Sequence, residues 1–92
     1  MDMDNLALEV QIQADRLFPN RTDVSMYLKM FSELGELIDS NGAHDEYADI
    51  MIMLLDYGSR KMIPIEDAIR RKMVVNEHRK WETNSLGVNH HV

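Results

Sequence analysis

The sequence of 92 residues contains no cysteine, and it has only two prolines and four glycines. The absence of cysteine excludes disulfide bonds, cysteine-ligated zinc, iron–sulfur clusters and thiol catalysis. Basic residues are also few, with 10 Lys and Arg against 16 Asp and Glu and a formal net charge of -6. This balance argues against nonspecific binding to a nucleic acid polymer or to an anionic membrane.

Long apolar runs are missing as well. The longest, Ile50 to Leu55, is about a third of the length that a membrane helix needs. The chain opens without a basic segment followed by an apolar one, so we expect a cytoplasmic protein with no membrane partner. With 45% hydrophobic and 28% charged residues, the composition is that of an ordinary globular domain.

The sparse prolines and glycines divide the chain into four stretches whose apolar residues have helical spacing. We expect helices over residues 4–17, 23–39, 44–60 and 64–81 and no strand. Residues 83–92 hold little apolar surface, which predicts a flexible, frayed tail after a single domain of residues 1–82. The short links favour an all-α antiparallel four-helix bundle. So small a chain would gain core by associating with copies of itself.

The helix expected over residues 23–39 has two contrasting faces. One is an apolar stripe made of Tyr27, Phe31, Leu34 and Ile38. The other is charged and consists of Lys29, Glu33 and Glu36. The apolar stripe predicts the face that packs into the core, and the charged face taken alone is typical of a solvated surface.

The helix expected over residues 44–60 is apolar almost all round, which is typical of a buried helix. A narrow stripe along it is nonetheless charged and contains Glu46, Asp49, Asp56 and Arg60. We expect Arg60 to pair with Asp56 one turn away. The helix dipole would tolerate Glu46 in the first turn. Asp49 has no such compensation, and a buried carboxylate is costly without it.

The two acidic pairs, Glu33 with Glu36 and Glu46 with Asp49, could converge across an antiparallel helix interface. Four carboxylates at one place repel one another strongly, so only divalent cations would make that arrangement favourable. Oxygen ligands alone select hard cations, which predicts Mg²⁺ with Mn²⁺ as the alternative. The competing interpretation is a purely structural bundle whose acids are solvated.

The helix expected over residues 64–81 has an inward stripe that changes character along its length. It begins with Ile65, Ala68 and Ile69 and continues in the same sector as Lys72, Asn76 and Arg79. Such a stripe indicates either a polar pocket at that end of the bundle or a helix that extends past its core. Basic groups that face a metal-bound acidic cluster would neutralise a polyphosphate chain.

Three blocks of sequence, taken in order, resemble the MazG-like all-α nucleoside triphosphate pyrophosphohydrolases. Relatives of that superfamily include dimeric all-α dUTPases and dCTP pyrophosphatases. The blocks are Lys29 to Leu37 with its Glu33-x-x-Glu36 pair, Glu46 to Met51 with Glu46-x-x-Asp49, and Lys72-Met73-x-x-Asn76-x-x-Arg79. Ser32 stands where the family motif usually has the first of two adjacent glutamates, and the gap between the acidic pairs is short for the family.

The resemblance implies a homodimer or homotetramer that hydrolyses an NTP or dNTP between the α and β phosphates and so controls a nucleotide pool. The implied metal ligands are Glu33, Glu36, Glu46 and Asp49, and the implied catalytic residues are Glu33 and Glu36. The implied substrate-binding residues are Lys72, Asn76, Arg79 and Lys29. For Lys29, phosphate binding and simple pairing with Glu33 are equal alternatives.

Recognition of the base stays open at this point. A base could stack on Phe18, Tyr47 or Trp81 and could accept or donate hydrogen bonds at Gln11, Gln13, Arg16 or Arg21. Each of these residues is better explained by ordinary packing or a solvated surface. A second hypothesis is a noncatalytic helical module that senses nucleotides or binds a partner while keeping the acidic scaffold.

Overall fold

The computed structural model describes residues 2–83 and 86–91. These residues form four helices followed by a two-stranded antiparallel hairpin. The elements are α1 (Met3–Leu17), α2 (Asp23–Asp39), α3 (His44–Arg60), α4 (Ile65–Glu77), β1 (Trp81–Thr83) and β2 (Asn89–His91). The four predicted helices are therefore confirmed, although α4 ends earlier than expected. Every helix in the described part of the chain is too short or too polar to span a lipid bilayer.

Local signals set where the helices begin and end. The Asp2 side chain accepts a hydrogen bond from the backbone N–H of Asn5 at 2.8 Å, which caps α1. Thr22 and Ser25 form a capping box at the start of α2. Between α2 and α3 the backbone turns through Gly42 at φ 83°, a conformation that glycine adopts without a steric penalty. This tight turn lets α3 return along α2.

The central helix of the fold is α3. Both α1 and α2 pack against it, and α4 contacts α1 and α3. A small core lies where α1, α3 and α4 meet, and its buried residues are Ala7, Leu55 and Ile65. Gly58 permits the close approach of α4, because a Cβ at this position would lie 2.9 Å from the Cδ1 atom of Ile65.

The apolar stripe of α2 faces away from this core. Its four residues Tyr27, Phe31, Leu34 and Ile38 are all exposed, Phe31 by 74% and Ile38 by 71%. The buried residues of α2 are instead Met26 and Glu33. The prediction that the stripe is the core face is thus wrong for the single chain. In the described part of the chain α3 alone packs on α2. It covers Glu33 and meets the stripe only at its edge, where the hydroxyl groups of Tyr27 and Tyr57 lie 3.1 Å apart.

Two other helices are also less buried than the sequence predicts. On α3, Tyr47, Ile52 and Leu54 are 61, 43 and 47% exposed, so this helix is not enclosed on all sides. On α4, Ile65 is buried but Ile69 is 44% exposed. Four helices of this length do not surround one another completely, and the chain keeps a large apolar surface.

The end of the chain forms a hairpin where the sequence predicts a frayed tail without strands. Trp81 pairs with His91 and Thr83 with Asn89. The Trp81 Nε1 atom donates a hydrogen bond to the Asn76 carbonyl at 2.9 Å, which ties the hairpin to α4. Both strands are short and exposed on both faces, so no alternation marks them in the sequence. Residues 84, 85 and 92 of the predicted tail lie outside the described residues.

The expected domain boundary after residue 82 falls inside β1. The grouping of residues 1–82 as one domain stays a prediction.

Candidate active site

Three of the four predicted acidic ligands meet between α2 and α3. Glu33, Glu46 and Asp49 each offer a carboxylate oxygen, and these atoms lie within 4.8 Å of one another. Glu33 projects from the middle of α2 and is only 6% exposed. Glu46 and Asp49 are three residues apart in the first half of α3, which places them on one side of that helix. The short α2–α3 turn therefore brings together acids that are separate in sequence.

Two of these carboxylates carry buried oxygen atoms that lack a hydrogen-bond partner. The atoms are Oε2 of Glu33 and Oε2 of Glu46, as judged from the described residues. Burying an anionic oxygen without compensation is costly. The two atoms therefore fit the role of cation ligands, and an all-oxygen donor set suits Mg²⁺ or Mn²⁺.

The electrostatics of α2 separate its two glutamates. The Lys29 Nζ atom lies 3.0 Å from Oε1 of Glu33, and this hydrogen bond holds the pKa of Glu33 below its ordinary value. The same contact raises the pKa of Lys29. Glu36 is exposed beside the three converging acids, and its interaction with Glu33 raises the pKa of Glu36. Glu33 is thus the more acidic of the pair, and Glu36 is the stronger base.

A cleft of about 470 Å³ opens beside the acidic cluster, between α1, α2 and α3. Glu33, Asp49 and Lys29 line one part of it. The apolar lining consists of Ala14, Phe18, Met26, Ile52 and Met53. The remaining lining residues are Arg21, Ser25 and Asp56. A cleft of this size and character suits a small organic ligand with a charged end.

A buried ion pair between Arg21 and Asp56 forms another part of the cleft. The Nε and Nη2 atoms of Arg21 each donate to the Asp56 carboxylate at 2.8 Å, and Asp56 is only 2% exposed. These hydrogen bonds to Asp56 raise the pKa of Arg21 above its ordinary value. Arg60 Nε also lies 3.3 Å from Oδ2 of Asp56, which confirms the predicted pair one turn apart. The Arg21 partner of Asp56 is not predictable from local spacing, because 35 residues separate the two positions.

The predicted phosphate-binding residues on α4 and just after it do not line the cleft beside the acidic cluster within one chain. Among the described residues that line the cleft, Lys72, Asn76 and Arg79 are absent. Asn76 instead lines a separate open depression with Trp81. Lys29 does line the cleft while it pairs with Glu33, so the structure accommodates both of its predicted roles.

Comparison with known proteins gives two curated relatives, both from phages, whereas no protein-family model matches the sequence. The chain is 34% identical over 89 residues to a dATP/dGTP diphosphohydrolase of Cyanophage S-2L, a match that covers 95% of this chain and 85% of that protein. It is 42% identical over 81 residues to a dATP/dGTP diphosphohydrolase of Salmonella phage PMBT28. The second match covers 86% of this chain but only 28% of that longer protein.

A solved structure agrees with these sequence matches. The Cyanophage S-2L MazG-like pyrophosphohydrolase has a TM-score of 0.89 and 29% sequence identity to this chain, and the match covers 100% of this chain and 93% of that one. That protein is bound to dGDP and to three catalytic Mn²⁺ ions per active site. Fold and sequence together define an all-α hydrolase that acts on acid anhydrides. The chain belongs to the MazG-like pyrophosphohydrolases, as its three sequence blocks predict.

Proposed function

We propose that this chain hydrolyses a purine deoxyribonucleoside triphosphate to the monophosphate and pyrophosphate. The observation that carries the proposal is the convergence of Glu33, Glu46 and Asp49 beside a cleft large enough for a nucleotide. Support for the substrate class comes from the two phage relatives, which are dATP/dGTP diphosphohydrolases, and from the dGDP bound to the solved neighbour. Such an activity would adjust a purine deoxynucleotide pool.

Divalent cations bind to the acidic cluster in this proposal. The ligands are Glu33, Glu46 and Asp49, with Glu36 beside them. The partnerless buried oxygens of Glu33 and Glu46 support this assignment. Cations held there would neutralise phosphate charge and lower the pKa of a bound water. The solved neighbour holds Mn²⁺, the ion that the sequence predicts as the alternative to Mg²⁺.

In this proposal, side chains of α2 accept the proton of the attacking water and neutralise phosphate charge. Glu33 or Glu36 accepts a proton from the attacking water, and Glu36 is exposed beside the three converging acids. The water oxygen then bonds to the α-phosphorus, the bond to the bridging oxygen breaks, and pyrophosphate leaves with the electron pair. Lys29, whose side chain is 61% exposed and lines the cleft, neutralises phosphate oxygens.

The active form in this proposal is a homodimer or homotetramer joined through the outer face of α2. That face is a contiguous apolar surface, and its exposed residues are Val24, Tyr27, Leu28, Phe31, Leu34 and Ile38. Exposed apolar patches of this kind mark protein interfaces. Lys72, Asn76 and Arg79 then act on phosphates of a neighbouring protomer, since within one chain they lie apart from the cleft.

A substrate panel tests the proposed reaction. The chain is incubated with Mg²⁺ or Mn²⁺ and each NTP and dNTP, and the products are separated by ion-exchange chromatography. We expect dGTP and dATP to give dGMP and dAMP with one pyrophosphate each. Release of orthophosphate and a nucleoside diphosphate would contradict the reaction class. Nucleotide binding without turnover across the whole panel would instead favour the noncatalytic sensing module.

A further inference from the structure

We infer that the Arg21–Asp56 pair is the base-recognition end of the cleft, where Asp56 accepts a hydrogen bond from the nucleobase and Phe18 packs on its ring. The inference rests on the proposed function, because it takes the phosphates to lie at the acidic cluster. It assigns specificity to residues that are separate from the metal ligands.

The spacing along α3 matches the length of a nucleotide. Asp49 and Asp56 are seven residues apart, close to two full turns, so both lie on the same side of the helix and both line the cleft. A rise of 1.5 Å per residue separates them by about 10 Å along the helix axis. This is comparable with the distance from the α-phosphate of a nucleotide to the far edge of its base. A nucleotide with its phosphates beside Asp49 therefore extends to Asp56.

The lining between these two ends is apolar and suits a planar ring. Met26, Ile52 and Met53 supply aliphatic and thioether surface, and thioether sulfur makes favourable contacts with aromatic rings. Phe18 lines the same cleft and is 61% exposed, so its ring is accessible to a ligand. A triphosphate would lose its hydration against such walls without compensation, so the phosphates belong at the other end.

The hydrogen bonds of Arg21 are made to its own neighbours, which is typical of a positioning residue rather than a phosphate ligand. Its Nη2 atom donates to both Asp56 and Asp15, its Nε atom to Asp56, and its Nη1 atom to the Phe18 carbonyl at 3.1 Å. Four of the five N–H donors of the guanidinium are thereby engaged by its own neighbours. One side chain thus orients both the acceptor, Asp56, and the backbone that carries the stacking ring of Phe18.

Asp56 keeps capacity for one more donor. Its Oδ2 atom accepts from Arg21 and Arg60, whereas Oδ1 accepts a single bond from Arg21 among the described residues. A carboxylate oxygen takes two hydrogen bonds, so one acceptor position on Oδ1 remains. The matching ligand group is a ring N–H or an amino group. Guanine and adenine both carry such donors, consistent with the purine substrate proposed above.

Two variants and one competitor test this inference. Asp56→Asn and Phe18→Ala are compared with wild type by the KM for dGTP and by the inhibition constant of inorganic tripolyphosphate, which has no base. We expect each variant to raise the KM about tenfold, as loss of one hydrogen bond or ring contact does. The inhibition constant should change less than about twofold. Asp67→Asn, which removes an exposed partner of Arg71 on α4, is the matched acid-to-amide control and should change neither value.

If the pair has a merely structural role, the substitutions would weaken the binding of dGTP and of tripolyphosphate equally, and that result would overturn the inference. If Asp56→Asn fails to fold by circular dichroism, Phe18→Ala decides, because the exposed Phe18 side chain makes no ion pair. An unchanged KM in a folded variant also overturns the inference while leaving the proposed function intact. If the wild type hydrolyses no nucleotide in the panel, the proposed function itself fails, which is a distinct outcome.

Discussion

The two sides of α2 have opposite relations to solvent. Glu33 carries a charge and is 6% exposed, whereas Phe31, two residues earlier, is apolar and 74% exposed. A helix on the surface of a self-sufficient domain shows the reverse arrangement. The contrast shows that α2 buries a carboxylate on its inner side and exposes apolar side chains on its outer side, which is the arrangement that the proposed metal site and the proposed interface require.

The inner side of α2 brings charges of the same sign close together. Several carboxylates approach one another there, and Lys29 is the cation that pairs with Glu33. The outer side, in contrast, exposes apolar area that would favour association if it were covered. The inner side of α2 thus brings like charges together, and its outer side leaves apolar area exposed to solvent.

The largest expected effect comes from Glu33→Gln, which removes a carboxylate from the inner side of α2. Removing the buried charge of this proposed metal ligand should lower the hydrolysis rate by about 100-fold or more, as loss of an electrostatic contact to the transition state does. It should also reduce the rise in melting temperature that Mn²⁺ causes, since ligands stabilise only the state that binds them. Kinetics and thermal melts with and without Mn²⁺ measure both effects. Glu66→Gln, which removes a partner of Arg70 on α4, is the matched control. Full activity in Glu33→Gln would contradict the metal assignment.

Phe31→Glu tests the outer side of α2, because it places a charge among the exposed apolar residues. A charge in the centre of an apolar protein interface should weaken association of the chain by about 30-fold or more, as substitutions at interface hot spots do. Sedimentation velocity of wild type and variant over a range of concentrations measures the change. Met62→Glu places the same charge on an exposed apolar residue of the α3–α4 turn and should leave the mass unchanged. A wild-type chain that sediments as a monomer would refute the proposed oligomer.

The smallest effect concerns the ion pairs that hold the start of α2 against the end of α3. Lys61, together with Arg60, holds the pKa of Asp23 below its ordinary value of 3.8. The stabilisation from this contact is therefore complete above pH 3.8 and is lost as the pH falls through the lower pKa of the folded state. We expect Asp23→Asn to be less stable than wild type at neutral pH, with the difference shrinking in acid. Urea denaturation at several pH values measures it, and a difference independent of pH would refute the mechanism.

Much of the local organisation was predictable from the sequence because it depends on near neighbours. Helix spacing places α2 and α3 correctly, and the Thr22 cap marks the start of α2. The pairing of Asp56 with Arg60 follows from positions four apart on one helix. The acidic pairs could be recognised for the same reason, since residues three apart share a helix face. The Arg21–Asp56 pair could not, because no local rule connects a loop residue to a position 35 residues later.

The sequence by itself determined the four helices, the family and the acids that could share a cation, because all three depend on residue type and short-range spacing. Only the tertiary structure decided that Glu33 faces inward and Phe31 outward. Hydrophobic periodicity shows that a helix has an apolar face, but it does not show whether the chain itself or another molecule covers that face. That choice depends on how α2 packs against α3, which is a property of the folded chain.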